Sequence, residues 1–475
     1  MVPGPRPPMR SAPVHARLQG AGRGPGAPRA SASSATFVGL DFGTSGARVT
    51  VIDAREAVLH TERVDYGCGG MAGSIGTRNA GERDAGGGSA ASDPAAWRGA
   101  MHAALDSVPS ALKASCVAIA VDGTSSTCML VDRRTWKVQS RALMYDFVAA
   151  SPRVTEAITQ AGAPPGHIAR SATSTLAKLL TLLIEDGFDA HDVTAAPSGV
   201  DVRDRRDNRG DGNAGGAPPP DISDATEKFL LVHQADWLQG LLLAGDARAS
   251  SVASRGGVTD WNNALKLGFD PAPEACGYPD WLLRQPYARI LPRTVVPPCT
   301  PLGRADPALG LAADAVVCAG TTDSIAAFVA AASAEDLAPG DAVTSLGTTT
   351  ALKLLSRDRV DDLARGVYSH RLWDGEGGVR WLAGGASNCG GGALRKVGFD
   401  DDHLAALSER IDAEATTGLS YYPLAGGPGA RGERFPVNDP DLRAVLEPRP
   451  EDDALFLVSF PIGPRKILGI AQRID

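Results

Sequence analysis

Two stretches of this chain, about 300 residues apart, share one pattern. A short apolar strand runs into a turn of glycine and hydroxyl residues and leaves as a second strand. The first copy is Thr36–Asp53: Phe37–Leu40 leads into Asp41, then the turn Gly43, Thr44, Ser45 and Gly46, then the alternating, β-branched Ala47–Ile52. The second is Asp341–Leu355, with Gly347, Thr348 and Thr349 in its turn. Glycines let backbone N–H groups face an anion, and the hydroxyls add donors. One such unit is also what an ordinary hairpin with a polar turn looks like. Two of them suggest homologous halves, each offering a hairpin to a shared phosphate chain. The alternatives fail on pattern. No Gly-x-x-x-x-Gly-Lys-[Ser/Thr] occurs. The glycine turn leads into a strand rather than the helix of a dinucleotide site. The signature set of the protein kinases is not present.

Length and composition then divide the chain. At 475 residues it exceeds one hydrophobic core. Glycine (55) and proline (34) are more frequent than in ordinary domains, and aromatic residues make up only 5%. Part of the excess is local. Residues 1–35 hold Arg6, Arg10, Arg17, Arg23 and Arg29 with several serines and no acid, the composition of an organellar transit peptide or of a disordered tail. Asp189–Thr226, rich in Asp, Arg, Gly and Pro, cannot bury enough surface to offset its ordering entropy and is expected to be a disordered insertion. Gly67–Ser92 is expected to be a glycine-rich surface loop.

The formal charge of −8 argues against a general nucleic-acid binder. No apolar run of 18 residues exists, so no spanning helix is expected. The seven cysteines form no Cys-x-x-Cys and have no histidine cluster beside them, which speaks against zinc and for a reducing compartment. Asp323 follows an apolar strand (Ala315–Cys318) and a Gly-Thr-Thr turn and opens a helical run, Ser324–Ala332. It is placed to be an exposed base in a cleft, although the position also suits a helix N-cap.

The strings Asp41-Phe-Gly-Thr-Ser-Gly-Ala-Arg48, Gly123-Thr-Ser-Ser126, Gly320-Thr-Thr-Asp-Ser324 and Ser345-Leu-Gly-Thr-Thr349 resemble the FGGY carbohydrate kinases. Within that family the resemblance is closest to the plastid and cyanobacterial branch of D-ribulose kinases, once labelled xylulose kinase-like. It runs from about Phe37 to Arg473 and includes Val232-His-Gln-Ala-Asp-Trp-Leu238, Asp260-Trp-Asn-Asn-Ala-Leu-Lys266, Gly366-Val-Tyr-Ser-His-Arg-Leu372 and Gly384-Gly-Ala-Ser-Asn388.

The fold this implies is α/β: the two-domain actin-like ATPase (ribonuclease H-like) fold, with domains at 36–318 and 319–475. The implied reaction moves the γ-phosphate of ATP, with Mg²⁺, to a hydroxyl of a ketopentose, D-ribulose above xylulose. The partners implied are ketose and ATP, with no nucleic acid and no membrane. The implied address is the chloroplast, with mitochondrion or cytoplasm as alternatives. The resemblance makes Asp323 the catalytic base. It sets Asp41 near the transferred phosphate and a magnesium ion, held through water. Thr44 and Ser45, next to Gly43, become phosphate contacts, and Gly347, Thr348, Thr349 and Gly391 become nucleotide contacts. Sugars need converging hydroxyls and carboxylates, and the turn after Ala118–Val121 supplies Asp122, Thr124, Ser125 and Ser126. Tyr145 and Asp146 align with a sugar-binding pair of the family.

Three departures accompany the resemblance. Ser125 and Ser126 stand where other branches carry bulkier residues. Phe147 replaces an aspartate that follows the Tyr145–Asp146 position. Beyond a helix-like stretch at Phe460–Arg473 the chain stops at Asp475, so the second domain is expected to be incomplete and to lack an adenine loop. A degraded kinase that binds sugar or nucleotide as a regulatory protein is therefore the competing reading. Lys228–Leu243 reads as one helical run with His233 structural within it. His370 is expected to be a packed surface histidine, and Trp237, Trp261 and Trp281 to be core or lid residues.

Overall fold

The computed structural model describes residues 35–66, 92–186, 228–243, 257–332, 337–346, 349–373, 378–390, 402, 405–406, 422–424, 432–436, 439–445 and 468–469. The expectations for the leader, for Gly67–Ser92 apart from its last residue, for Asp189–Thr226, and for Gly347, Thr348 and Gly391 lie outside these residues, as does most of Phe460–Arg473.

The chain opens as an antiparallel meander of β1 (Thr36–Phe42), β2 (Gly46–Asp53) and β3 (Val58–Asp65). Alternate residues of β1 and β2 point inward: Val38, Leu40, Phe42, Ala47, Val49 and Val51 are all buried. Helix α1 (Pro94–Ser107) begins where the Asp93 carboxylate accepts the Ala95 N–H at 2.8 Å, with proline in its first turn. Its stripe of Trp97, Ala100, Met101, Ala104 and Leu105 is buried against this sheet. Each large side chain so buried contributes roughly 1.5–3 kcal/mol. After the short α2 (Ser110–Ala114), β4 (Cys116–Gly123) lies parallel to β1.

Strand β5 (Cys128–Asp132), helices α3 (Pro152–Gln160) and α4 (Thr175–Glu185), and strand β6 (Phe229–His233) come next, with β6 antiparallel to β5. Here the structure departs from the single helical run expected over Lys228–Leu243. Its first part is a strand, and only α5 (Gln234–Leu242) is helical. A continuous apolar run fits either period. The ribbon decides it, because its two faces serve two cores: Met129, Val131, Leu230 and Val232 pack toward the β1–β4 sheet, and Cys128, Leu130 and Leu231 toward α3 and α4.

Strand β7 (Val258–Asp260), α6 (Trp261–Leu265), α7 (Asp280–Leu283), β8 (Thr294–Val296), β9 (Pro301–Arg304) and β10 (Val316–Cys318) complete the first lobe. Its main sheet has the order β3-β2-β1-β4-β10-β9, with β1, β4 and β10 parallel. Helix α8 (Asp323–Ala332) crosses to a second sheet built of β11 (Ala342–Leu346), β12 (Thr350–Ser356), β13 (Tyr368–Trp373), β14 (Val379–Ser387) and β15 (Leu468–Gly469). Their order is β13-β14-β12-β11-β15. Ile325 and Phe328 of α8 close the core of this lobe against Val343, Leu355 and Leu382. The six cysteines among the described residues are all free thiols. No described helix is long and apolar enough to cross a membrane.

Candidate active site

Strands β1 and β4 end level with one another, each with an aspartate next to its last residue, while β10 stops short of them at Cys318 and Asp323 follows after a short loop. Asp41 on β1 stands in register with Asp122 on β4. Gly123 then bridges Thr322, the residue before Asp323. The loop between β10 and α8 reaches this position because Gly320 has no side chain. A Cβ there would lie 1.6 Å from the Val121 carbonyl oxygen. Thr321 is pinned from below: its hydroxyl donates to Asp260 at 3.3 Å and accepts from Asn262 Nδ2 at 3.2 Å. The Gly320 N–H donates to Gln239 Oε1 at 3.3 Å.

Gathering carboxylates under cover changes how they titrate. Asp122 is held well above the ordinary carboxylate range, first by burial, then by the Asp41 charge beside it and by Asp323. Its Oδ1 is buried and has no partner. Asp323 is raised to about 6, mainly by burial and further by Asp41. The Ser324 N–H, which donates to its Oδ1 at 2.6 Å, and the charges of Lys266 and Lys353 pull the other way. A carboxylate poised near neutrality can take a proton and pass it on.

The first hairpin turn sits over this edge. The Gly43 N–H donates to the Gly46 carbonyl at 3.1 Å, and the Tyr66 hydroxyl donates to the Gly43 carbonyl at 2.8 Å. Thr44 and Ser45 are exposed at the tip. The Ser45 hydroxyl is held by the Arg63 guanidinium at 3.1 Å. In the second hairpin, Leu346 faces Thr350 across β11 and β12, and the described tip residue, Thr349, is half-buried. The Thr350 N–H donates to the Cys389 carbonyl at 3.0 Å, joining this hairpin to the glycine-rich turn after β14. Glu433 braces that turn. Its buried carboxylate accepts from the Ser387 hydroxyl and the Asn388 N–H, both at 2.7 Å, and from the Tyr422 hydroxyl at 2.6 Å. Tyr66, Arg63 and Glu433 carry no local sequence signal, because their partners are distant in the chain or make contact through the backbone.

The polar turn after β4 is built as expected but not uniformly open. Thr124 is only 3% exposed, and its N–H and hydroxyl donate to Gln234 Oε1 at 3.0 and 2.9 Å. Its hydroxyl also bonds Thr127. Thr124 therefore shapes the turn from beneath, through its bonds to Gln234. Ser126 takes a left-handed φ of 65° and is buried, with its hydroxyl unpartnered. Ser125 is half-buried and Asp146 exposed.

Lys178 ties the turn to the Tyr145–Asp146 pair. This fully buried lysine, on a largely apolar helix, donates to the Ser126 carbonyl at 3.0 Å and the Tyr145 carbonyl at 3.2 Å. Burial lowers it to about 8. A lone lysine inside the apolar run Thr175–Ile184 was the available sequence signal.

His233 caps α5 as a structural residue, with its Nδ1 2.8 Å from Asp236. Trp237 is core, against Trp97, while Trp261 lies under the Arg371 guanidinium, 4.3 Å away, where the two lobes meet. Trp281 packs edge-on to His167. His370 is not at the surface. It is 1% exposed, with its Nδ1 3.0 Å from the ammonium of Lys353, since β13 turns this residue inward. Among the described residues no group of three or more His, Cys, Asp or Glu side chains could hold a metal ion.

No protein-family model matches the chain. Solved structures do. The gluconate kinase of Lactobacillus acidophilus superposes with a TM-score of 0.57 at 13% identity, over 86% of this chain and 71% of its own. The xylulose kinase of Bifidobacterium adolescentis gives 0.54 at 18% identity, over 87% and 76%. The glycerol kinase of Plasmodium falciparum, solved with ADP, gives 0.55 at 15% identity, over 87% and 72%. With its two α/β lobes and a hairpin from each, the chain has the actin-like ATPase fold of these sugar kinases.

Proposed function

We propose that this protein is an ATP-dependent carbohydrate kinase that phosphorylates a hydroxyl of a ketopentose. The observation that carries the reading is the convergence of Asp41, Asp122 and Asp323 at one sheet edge beneath the first glycine–threonine hairpin. Phosphoryl transfer asks a protein for positioning and charge neutralisation rather than covalent chemistry. Asp323 takes the proton from the sugar hydroxyl as that oxygen bonds to the γ-phosphorus. The bond from γ-phosphorus to the bridging oxygen breaks, and ADP leaves. Thr44, Ser45 and Thr349 donate to the phosphates from the two hairpins. Ser125, Tyr145 and Asp146 face the sugar on a floor fixed by Lys178.

A divalent cation fits the arrangement. Two carboxylates stand side by side across the β1–β4 register, and one of their buried oxygens lacks a partner. Asp41 and Asp122 would hold magnesium, which when bound supplies positive charge to the phosphates. The sequence resemblance favours D-ribulose as acceptor. Xylulose is the second reading, favoured by the fold likeness to xylulose kinases.

The test is ADP release by the purified full-length chain with ATP and Mg²⁺, offered D-ribulose, D-xylulose, L-ribulose, gluconate and glycerol in turn. D-ribulose is expected to give the highest kcat/KM. A best rate with D-xylulose would move the assignment to the second reading. No ADP with any acceptor, in a protein that binds nucleotide, would make it a regulatory binder.

A further inference from the structure

A second charged cluster spans the boundary between the lobes, and it is cationic. Lys266, which caps α6 in the first lobe, places its ammonium 5.4 Å from the centre of the Tyr368 ring. Lys353, from β12 of the second lobe, places its own 5.2 Å from the same ring. Tyr368 and His370 stand two residues apart on β13 with their rings 5.0 Å apart. Among the described residues neither lysine makes an ion pair. Asp323 is the carboxylate that both of them influence.

Lys353 is the telling member. It is only 5% exposed, in a strand where a leucine would serve the core, and its hydrogen bond goes to an imidazole. Burial holds Lys353 below the ordinary lysine range, and the Lys266 charge adds to this while Tyr368 and Asp323 oppose it, so an anion arriving beside it would favour its charged form. When His370 Nδ1 accepts from Lys353, its proton resides on Nε2, and Nε2 is buried with no partner. Burial would raise the Tyr368 hydroxyl, but Lys266 and Lys353, together with Arg434, outweigh it and bring it down to about 8. All these groups are donors, two are formally charged, and they come from both sides of the lobe boundary. A compact dianion with several acceptor oxygens satisfies them together; a neutral sugar does not.

We propose that Lys266, Lys353, Tyr368 and His370 form a subsite for a phosphate monoester, which receives the phosphoryl group of the product beside Asp323. The subsite rests on the kinase reading for the identity of its ligand. Because its donors come from both lobes, an occupied subsite also draws the lobes together.

Inorganic phosphate is the probe. The full-length protein is melted in rising phosphate without nucleotide, as wild type and as Lys266→Met, Lys353→Met and Tyr368→Phe. Phosphate is expected to raise the melting temperature saturably in the wild type. In Lys266→Met the half-saturating concentration is expected to rise about tenfold or more, the loss of one charged donor. The half-saturating concentration of ADP, which lacks the transferred group, stays unchanged in the same variant. Lys266 is half-buried at a helix end, so its variant keeps the test decisive if Lys353→Met does not fold. No phosphate response in the wild type, or equal responses in wild type and Lys266→Met, would overturn the subsite. The assay needs no turnover, so its failure is separable from failure of ketose-dependent ADP release.

Discussion

Asp323 carries a conflict between stability and activity. Its carboxyl is raised to about 6, chiefly by burial. A raised carboxyl stabilises the fold while it is protonated. That contribution is complete below the unfolded value near 4 and is lost as pH climbs through about 6. Turnover has the opposite requirement, since the base must be ionised. kcat is therefore expected to fall on the acid side with a midpoint near 6. Asp323→Asn removes both effects. We expect its melting temperature to exceed that of the wild type at pH 8, by the equivalent of about 3 kcal/mol or less, and to converge with it by about pH 4. Equal melting curves at pH 8 would mean that burial does not strain this carboxyl. Lys178 makes the second residue-scale case. Lys178→Met leaves two backbone carbonyls unpaired, a loss of about 1–3 kcal/mol. It is expected to raise the sugar KM while leaving the ADP dissociation constant alone, and an unchanged sugar KM would remove Lys178 from the sugar floor.

Among elements, the β10–α8 connection decides where the base stands. Residues Ala319–Thr322 press against β4 so closely that Gly320 admits no side chain. In Gly320→Ala the new methyl meets a backbone carbonyl, which cannot give way as a flexible side chain can. We expect a loss of about 1–3 kcal/mol or more and a drop in kcat larger than in KM, as Asp323 is displaced. Wild-type kcat in a folded Gly320→Ala protein would show that the loop is not what positions the base. This connection was legible in sequence, as were both hairpins and the strand ending at Asp122, because each is written in neighbouring residues: apolar strand, small polar turn, next element. The strand Phe229–His233 was not. Its apolar run fits two periods, and two cores on opposite faces of the ribbon choose between them. Lys353 and Glu433 were equally silent, and Lys178 showed only as a lone charge in an apolar run, since a buried charge is explained only by partners far along the chain. His370, expected at the surface, was misplaced for the same reason.

At the scale of the molecule, the two lobes meet through Trp261 and Arg371, through Arg359 with Asp270, and through the two lysines around Tyr368. Arg359 bonds Asp270 at 2.7 Å and Asp361 at 2.6 Å, with 31% of its side chain exposed. Partly exposed pairs contribute about 1 kcal/mol or less. Arg359→Ala is thus expected to lower the melting temperature only slightly, yet to raise the KM for both substrates by loosening the approach of one lobe to the other. A large loss of stability with unchanged KM values would make Arg359 a structural residue alone. The central claim, however, is that the edge formed by Asp41, Asp122 and Asp323 transfers phosphate to a sugar hydroxyl. The direct measurement follows the γ-phosphate of labelled ATP by ³¹P resonance in the presence of D-ribulose, for wild type and Asp323→Asn. The wild type should convert the label to a phosphate monoester of the sugar, and Asp323→Asn should bind ADP normally but form that ester at least about 100-fold more slowly. Release of the label only as inorganic phosphate, or equal ester formation by both proteins, would contradict it.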